Sequence, residues 1–494
     1  MLSFGSLGLR GLGPSRLMLR ARVRPRPRTL HSANRPPSAS PGNGKTQKYL
    51  AGVVAVAASG LWLATSTVNS EPPQPRVPLL DDPSTARLAI APSLSKEDVS
   101  RILSEGAYSL PVNTVAGVSR YDGTRLVSGS PCEDRFTHGT FPSPRNDGSQ
   151  WMAWAVFDGH AGWQTADLLE KQLLPFVRYY LDQVKSAINQ QPAAVEVLQG
   201  AVKRAFVSLD NSIMNTAQDT YRSKEPLQDK VNKLVPGYAG SCALLSMYDP
   251  ATATLHVACT GDSRAVLGRK APDGTWEAVP LSVDQTGSNE AEVARISSEH
   301  PGEENLAKDG RVLGLMVTRA FGDGRWKWPL DVQRDLWRQF NGPAPLSPTY
   351  DVRTPPYLTA EPVMTATEIE RDRPSFLIMA TDGLWDNLSS QQAVELVGKW
   401  LDAGGAREKN EVVAEPAYAP FDFGQFRKGV DRRFVGARMT VQDDNAAVHL
   451  VRNSLGGNHH ELVAGRLVFS APFSRRQRDD ITVQVVFFGN KVGS

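Results

Sequence analysis

Four aspartates lie at or beside the ends of separate apolar runs: Asp158 in VFDGH, Asp262 in TGDSR, Asp382 in ATDGLWD and Asp479 in RDDITV. Carboxylate oxygens are the ligands that hard divalent cations prefer. A site assembled from several strand ends can hold two such ions and leave positions open for water and a substrate. These residues therefore predict metal-assisted hydrolysis, in particular of a phosphate ester.

Two of these aspartates are followed directly by glycine. In FDGHAG, Asp158 precedes Gly159 and His160, and in TDGLWD the second acid, Asp386, comes four residues after Asp382. Glycine has no Cβ, so its backbone carbonyl can approach an ion closely. Each motif alone is equally compatible with an ordinary turn at the end of a strand. Their combination in one chain is what predicts a site.

Short apolar runs separated by Gly, Asp and Pro predict strands at 151–157, 242–247, 254–259, 265–267, 376–380 and 481–488. Apolar residues spaced by three and four predict helices over 168–181 and 197–209, and a further helix that begins near Ser389 or Ser390. The number of strands predicts a β-sandwich, and the helices between strand groups are expected to cover its faces.

The N-terminal part of the chain differs in composition from the rest. Residues 1–70 contain ten Lys or Arg and no Asp or Glu. This favours a mitochondrial transit peptide over 1–48, with an untargeted basic tail as the alternative. Residues 49–68 carry no charge and could span about 30 Å of hydrocarbon, which makes them a candidate membrane anchor or else an imported, buried segment. A Pro-rich linker is predicted over 69–99 and the catalytic domain over 100–494.

Charge and cysteine content exclude other kinds of site. Removing the ten basic charges of the leader from the overall net charge of +3 leaves −7 for residues 71–494. A mildly acidic body without a basic stripe is not expected to bind nucleic acid. Cys132, Cys242 and Cys259 have no CxxC spacing, which argues against a thiolate metal site or a disulfide framework.

Seven motifs follow one another in the body: CEDRF (132–136), VFDGHAG (156–162), GSCALL (240–245), TGDSRAVLG (260–268), MVTRAFGD (316–323), MATDGLWD (379–386) and RDDITVQVV (478–486). Together they resemble the metal-dependent type 2C Ser/Thr protein phosphatases, over about 130 to 487. The resemblance implies an α+β fold, with a central antiparallel β-sandwich flanked by α-helices. It also implies two Mn²⁺ or Mg²⁺ ions at one end of the sandwich.

The resemblance implies roles for the acidic residues in metal binding. Asp158 is expected to bridge the two ions, and the carbonyl of Gly159 to bind one of them. Asp382 and Asp479 are expected to bind the other ion.

Further acidic residues match outer positions of the family's site. Glu133 and Asp134 match the pair that holds metal-bound waters. Asp262 and Asp386 match positions that, with Asp382, hold a weaker third ion. Asp480 stands where the family often has asparagine, so we expect it to support the ligands from behind.

The same resemblance implies the reaction. A hydroxide shared by the two ions attacks the phosphorus of phosphoserine or phosphothreonine without a covalent phosphoenzyme. His160 resembles the general acid that protonates the leaving oxygen, although in isolation a structural histidine would be the commoner interpretation. Many members carry an arginine for the substrate phosphate where this chain has Gly129. Arg120 or Arg125 is expected to take its place.

Within the family, the segments 130–135 and 444–457 are most similar to the mitochondrial pyruvate dehydrogenase phosphatase branch and its fungal relatives. The expected partner is therefore a mitochondrial phosphoprotein, with the E1α subunit of pyruvate dehydrogenase as a candidate. An inner-membrane anchor would leave the body in the intermembrane space, whereas this dehydrogenase lies in the matrix, so the side of the membrane stays open. Insertions are expected near 325–357 and 401–440, and the first is either a docking surface or a satellite core.

Two other functions are alternatives to an active phosphatase. A membrane-tethered, weakly active or inactive phosphoprotein-binding module would be expected to lack metal ligands, but here only the phosphate arginine is missing. A binuclear nuclease is disfavoured by the acidic body. The sequence does not indicate the oligomeric state.

Overall fold

The computed structural model describes residues 93–188, 194–405, 418–428 and 432–489. The predicted transit peptide (1–48), the candidate anchor (49–68) and most of the predicted linker lie outside these ranges. Within them, no helix combines the length and the apolar composition needed to cross a membrane.

The strands in these ranges are β1 (Tyr108–Pro111), β2 (Val118–Leu126), β3 (Arg135–Pro142), β4 (Gln150–Phe157), β5 (Gly159–His160), β6 (Gly240–Ser241), β7 (Ala243–Asp249), β8 (Thr254–Thr260), β9 (Arg264–Lys270), β10 (Trp276–Pro280), β11 (Ala307–Lys308), β12 (Arg311–Val312), β13 (Phe321–Gly322), β14 (Val363–Glu368), β15 (Ser375–Ala380) and β16 (Ile481–Phe488).

The α-helices are α1 (Lys96–Ser104), α2 (Gln164–Gln183), α3 (Lys185–Ile188), α4 (Ala194–Arg222), α5 (Leu227–Tyr238), α6 (Glu290–Glu299), α7 (Gly324–Lys327), α8 (Leu330–Phe340), α9 (Asp382–Trp385), α10 (Ser390–Asp402), α11 (Ala446–Leu455) and α12 (His460–Val468).

Two antiparallel sheets form the centre of the fold. One has the strand order β1-β2-β16-β15-β9-β10 and the other the order β14-β8-β7-β4-β3. Buried side chains of both sheets meet in a shared core that includes Trp154, Leu244, Leu377 and Val486. The expected α+β fold with an antiparallel sandwich is confirmed.

Strand β4 shows how the sequence produces the layers. Successive side chains of a strand point to opposite faces of the sheet. Met152, Trp154 and Val156 contribute to the core between the sheets. Trp151 and Phe157 pack in a second core with helices α2, α4 and α5. A strand that is apolar on both faces is therefore buried between the other sheet and a layer of helices.

The six-stranded sheet is covered on its outer face in the same way. Phe376 and Ile378 of β15 and Val483 and Val485 of β16 pack with residues of α1, α10, α11 and α12. The layer order is therefore helices, sheet, sheet, helices.

The predicted strands all occur, with bounds that differ from the observed ones by at most three residues. The helix predicted near Ser389 or Ser390 begins at Ser390. Ser389 caps it, because its hydroxyl accepts a hydrogen bond from the backbone of Gln392 while the Gln392 side chain accepts one from the backbone of Ser389. The edge strands β1, β3, β10 and β14 were not predicted, since their exposed positions interrupt the apolar runs.

The insertion predicted near 325–357 divides between two cores. Trp328, Val332 and Leu336 pack in the core that β4 shares with α2, α4 and α5. Leu346, Val352 and Tyr357 are buried against Ile296 and Val312 in a cluster separate from the sandwich. The satellite core expected for this insertion is therefore present over part of it, and the docking surface stays a prediction.

A buried histidine of this fold makes stability depend on pH. His256 on β8 is 1% exposed and stacks on Trp151, and among the described residues neither of its ring nitrogens has a hydrogen-bond partner. Burial lowers its pKa to about 4. The unfolded chain therefore binds a proton more readily than the folded one, and stability falls as pH drops from about 6.5 towards 4.

We expect His256→Phe to remove this dependence, because phenylalanine keeps the ring stack and cannot bind a proton. Urea unfolding at pH 7 and pH 5 should show a smaller loss of stability in the variant, by about 1 kcal/mol or more. An equal loss in wild type and variant would show that His256 does not carry the effect.

Candidate metal and phosphoester site

Three of the predicted aspartates meet at one end of the sandwich. Asp158 lies between β4 and β5, Asp262 lies in the turn between β8 and β9, and Asp382 begins α9 just after β15. One carboxylate oxygen from each lies within 4.8 Å of those of the other two. The backbone N–H of Asp382 also donates a hydrogen bond to Asp158 Oδ2 at 3.3 Å. Residues more than two hundred positions apart thus share one site.

The glycines after Asp158 and Asp382 allow neighbouring loops to approach these carboxylates. A Cβ on Gly159 would collide with the carbonyl oxygen of Glu133, and one on Gly383 would collide with the carbonyl oxygen of Asp480. Glycine is therefore needed at both positions for close packing.

The carboxylates repel one another strongly. Burial, and then the charge of Asp382, raises the pKa of Asp158 well above its usual value. Burial, and then the charge of Asp262, does the same for Asp382. Burial also raises the pKa of Asp262, whose Oδ1 accepts a hydrogen bond from Cys242 Sγ at 3.2 Å. Negative charge is gathered here without a matching positive group inside the triad.

The acidic pair Glu133 and Asp134 lies beside the triad. Glu133 Oε1 accepts a hydrogen bond from the backbone N–H of Gly162 at 2.7 Å. Asp134 Oδ2 accepts hydrogen bonds from the hydroxyls of Thr381 (2.9 Å) and Thr482 (2.7 Å). Burial and the charge of Asp480 nevertheless raise the pKa of Asp134 to about 7. The two threonines were not singled out from the sequence.

Asp479 lies outside the tight triad and is held by an arginine. Its Oδ1 accepts hydrogen bonds from Arg475 Nε at 3.2 Å and from an Arg475 terminal nitrogen at 2.8 Å. The other terminal nitrogen of Arg475 contacts Glu133 Oε2 at 3.2 Å. Arg475 thus bridges two predicted site residues, although its position in the sequence predicts no such role.

Asp386 directly follows α9. Burial, and then the charge of Asp479, raises the pKa of Asp386.

Asp480 organises the loop that carries the acidic pair. Its carboxylate accepts hydrogen bonds from the backbone N–H groups of Ser128, of Gly129 (3.0 Å) and of Glu133 (2.8 Å). The residue is 3% exposed. It lies in the supporting position that the sequence analysis proposed for it.

His160 is paired with a carboxylate that the sequence analysis did not single out. Strand β6 lies between β5 and β13, so that His160 and Gly322 both pair with Gly240. This brings His160 Nε2 to 2.7 Å from Asp323 Oδ2. Although burial alone would lower it, the charge of Asp323 raises the pKa of His160 above its usual value. Asp323 is the last residue of the motif MVTRAFGD.

The same motif is anchored by a buried ion pair. Glu292 accepts hydrogen bonds from Arg319 Nε (3.0 Å), from a terminal nitrogen of Arg319 (2.7 Å) and from the hydroxyl of Thr318 (2.8 Å). Burial alone would raise the pKa of Glu292, but the hydrogen bonds from Arg319 and Arg295 lower it to about 2. The segment that leads to Asp323 is thereby fixed.

The two arginines proposed for the substrate phosphate are engaged in other contacts. Arg120 forms two hydrogen bonds to Asp122, at 2.8 and 2.6 Å, and lies over the rings of Trp400 and Phe487. Arg125 donates a hydrogen bond to the carbonyl of Asp134 at 3.2 Å. Of the two, only Arg125 touches a residue of the site.

The donor set fits a hard divalent cation. Every group in the triad offers carboxylate oxygen, and the ionised forms are disfavoured by their neighbours until positive charge is supplied. Metal ions often carry the largest local charge in such a site and reverse the local pKa shifts.

The comparisons with known proteins agree with this chemistry. The profile described as protein phosphatase 2C matches residues 128–420, which is more than half of the chain. The chain belongs to the protein phosphatase 2C family. It is therefore a protein Ser/Thr phosphatase, an enzyme of a family that generally depends on Mn²⁺ or Mg²⁺ and acts on phosphoproteins.

Relatives of this phosphatase 2C extend the similarity along most of the chain. A protein phosphatase 2C homolog of Schizosaccharomyces pombe is 39% identical over 446 residues, which are 89% of this chain and 95% of the relative. The mitochondrial pyruvate dehydrogenase phosphatase 1 of Saccharomyces cerevisiae is 35% identical, with 77% of this chain and 70% of the relative covered. The Homo sapiens protein of that name is 31% identical, with 81% and 84% covered.

If the triad is a strained cation site, Asp382→Asn should stabilise the metal-free phosphatase. A carboxyl whose pKa is higher in the folded than in the unfolded state costs stability at neutral pH. We expect a gain of about 1 kcal/mol or more in EDTA, together with loss of the stabilisation that Mn²⁺ gives the wild type.

Thermal unfolding in EDTA and in Mn²⁺ measures both effects. Asp372→Asn, at an exposed position, is the matched control and should behave as the wild type in both conditions. A destabilised Asp382→Asn variant in EDTA would contradict the repulsion described for the triad.

Proposed function

We propose that this phosphatase hydrolyses phosphoserine or phosphothreonine in a mitochondrial protein, and that the E1α subunit of pyruvate dehydrogenase is this substrate. Support comes from the relatives named pyruvate dehydrogenase phosphatase, which are 31–35% identical over most of the chain. The composition of residues 1–48 supports a mitochondrial location. The observation that carries the catalytic part is the triad of carboxylate oxygens within 4.8 Å.

In this proposal the acidic residues hold two divalent cations and a weaker third. Asp158, the carbonyl of Gly159, Asp382 and Asp479 would hold the two ions, and Asp262 and Asp386, with Asp382, would hold the weaker third. When bound, Mn²⁺ or Mg²⁺ neutralises charge on the phosphoryl oxygens and activates a water for attack. Glu133 and Asp134 accept hydrogen bonds from water at the site.

His160 supplies the proton to the leaving Ser or Thr oxygen. Its Nε2 lies 2.7 Å from Asp323 Oδ2, and this carboxylate favours the protonated imidazole that a general acid requires. His160 retains access to substrate because its side chain is 25% exposed, whereas that of Asp323 is 1% exposed. Asp323 acts by positioning His160 and not by contact with substrate.

Arg475 is the arginine that we assign to the substrate phosphate. Its side chain is 48% exposed, and it contacts both Glu133 and Asp479 at the edge of the site. A guanidinium presents five N–H donors in a planar array that suits phosphoryl oxygens. Arg475 therefore offers a guanidinium for the substrate phosphate in place of the arginine that is missing at Gly129. Arg120 is instead paired with Asp122, and Arg125 donates a hydrogen bond to a backbone carbonyl.

The domain organisation is part of the proposal: a transit peptide (1–48), an apolar segment that is either a transmembrane anchor or imported with the rest of the chain (49–68), a linker (69–99) and the phosphatase domain (100–494). A pyruvate dehydrogenase substrate requires the phosphatase domain to lie on the matrix side. Protease treatment of mitoplasts tests this arrangement. Digestion of the domain while the inner membrane is intact would contradict it and would direct the search to another mitochondrial phosphoprotein.

Phosphate release from a phosphoserine peptide of E1α tests the activity. We expect release to need Mn²⁺ or Mg²⁺ and to fall below detection in Asp158→Asn, since the substitution would remove a carboxylate that holds the ions. His160→Gln should retain metal binding and lose about 100-fold or more in kcat. A wild type without activity in Mn²⁺ would favour the phosphoprotein-binding module instead.

The assignment of Arg475 predicts a specific kinetic change. Arg475→Met should raise KM for the phosphopeptide about tenfold or more, because one charged hydrogen-bonding group to phosphate is lost. Arg371→Met, at an exposed position outside the site, is the matched control. Measuring KM for Arg120→Met and Arg125→Met decides between the three candidate arginines. A larger rise in KM for either variant than for Arg475→Met overturns the assignment.

A further inference from the structure

A small cavity lies between residues 421–426 and 432–438 on one side and helices α11 and α12 on the other. Its volume is about 100 Å³. Guanidinium groups and aromatic rings make up much of its wall, contributed by Arg432, Arg433, Arg438, Arg466, Phe421 and Phe426. Among the described residues that line it, none is Asp or Glu. The cavity therefore concentrates positive charge.

Arg466 is the buried member of this group. It is 1% exposed, and its terminal nitrogens donate hydrogen bonds to the carbonyls of Ser454 (3.3 Å) and Arg432 (3.0 Å) and to Asn387 Oδ1 (3.4 Å). Its Nε is buried and has no partner in the part of the chain that the structure describes. A buried charge that meets only neutral acceptors, with one donor unused, is costly unless an anion joins it.

The neighbouring groups reduce this cost only in part. Arg432 and Arg466 both lie over the ring of Phe426, at 5.4 Å, and Arg438 lies over Phe421 at 5.9 Å. Such contacts are favourable but do not neutralise charge. Burial, followed by the charges of Arg432 and Arg438, lowers the pKa of Arg466 to about 10. The arginines thus repel one another across the cavity.

We propose that this cavity binds one phosphate-type dianion through Arg432, Arg438 and Arg466, either as free inorganic phosphate or as a phosphoryl group on a substrate side chain. Several guanidinium groups that converge on one point suit a tetrahedral oxyanion. Pockets for larger organic ligands usually measure about 300–1,000 Å³, so a cavity of about 100 Å³ suits a single small group. The site is distinct from the carboxylate triad, although Arg432 is near enough to Asp386 to oppose the rise in its pKa. Binding of free phosphate does not depend on the proposed function, whereas binding of a substrate phosphoryl group rests on it.

The cavity is connected to the catalytic end of the sandwich through Asn387. This residue follows Asp386, and its carbonyl accepts a hydrogen bond from the backbone N–H of Phe434 at 2.9 Å. Its side-chain amide donates to the carbonyl of Gly383 in α9 at 3.0 Å. Arg466 also donates a hydrogen bond to Asn387. An anion bound to Arg466 would therefore be linked through Asn387 to α9, the helix that carries Asp382.

Calorimetric titration of the full chain with inorganic phosphate in EDTA tests the proposal. Without divalent ions the acidic centre has no cation to attract phosphate, and no turnover is needed. We expect one phosphate per chain in the wild type and in the Arg475→Met and Arg371→Met variants. The double variant Arg432→Met/Arg438→Met should bind about tenfold or more weakly, since two guanidinium groups are lost.

The double variant changes side chains at the mouth of the cavity and leaves Arg466 in place, and circular dichroism confirms its fold. Absence of phosphate binding to the wild type overturns the proposal. So does equal binding by the double variant, or loss of binding in Arg475→Met alone. A phosphoserine peptide that competes with phosphate identifies the substrate as the source of the anion, whereas competition by inorganic phosphate alone identifies the free ion; both support the site.

Discussion

The repulsion among carboxylates at one end of the sandwich is the constraint on which the rest of this structure depends. Asp158, Asp262 and Asp382 hold oxygen atoms within 4.8 Å of one another in a largely buried setting. Repulsion alone would separate such groups, because the charges of Asp382 and Asp262 raise the pKa of Asp158 and the charge of Asp262 raises that of Asp382. The arrangement persists because the packed cores on the two faces of the sheets fix each aspartate at a strand end. Without cations the repulsion costs stability, and binding of cations stabilises the fold.

The groups around the triad limit this repulsion without removing it. Gly159 and Gly383 let the loops of Glu133 and Asp480 close against the aspartates. Thr381 and Thr482 donate hydrogen bonds to Asp134, and backbone N–H groups satisfy Asp480. On the far side, the segment anchored by Glu292 and Arg319 brings Asp323 to His160. Preorganised polar groups of this kind are what an enzyme needs where charge changes during the reaction.

The sequence indicates the central strands and the aspartates because both leave local signals. Strands such as 151–157 and 481–488 are continuous apolar runs, and Asp158 and Asp382 stand directly at turns with glycine. Arg475 and Asp323 leave no such signal. Arg475 is one of several arginines before Asp479. What distinguishes it is a contact with Glu133, a residue 342 positions away in the sequence. The pairing of β2 with β16 and the cavity around Arg466 likewise depend on tertiary contacts that no local pattern encodes.

Anomalous diffraction from crystals grown with Mn²⁺ tests the central claim most directly, because it locates each ion without reference to activity. We expect strong peaks held by Asp158, the carbonyl of Gly159, Asp382 and Asp479, a weaker peak beside Asp262 and Asp386, and loss of the strong peaks in crystals of Asp158→Asn. Well-ordered crystals of the wild type with Mn²⁺ bound elsewhere, or with no peak among these carboxylates, would contradict it.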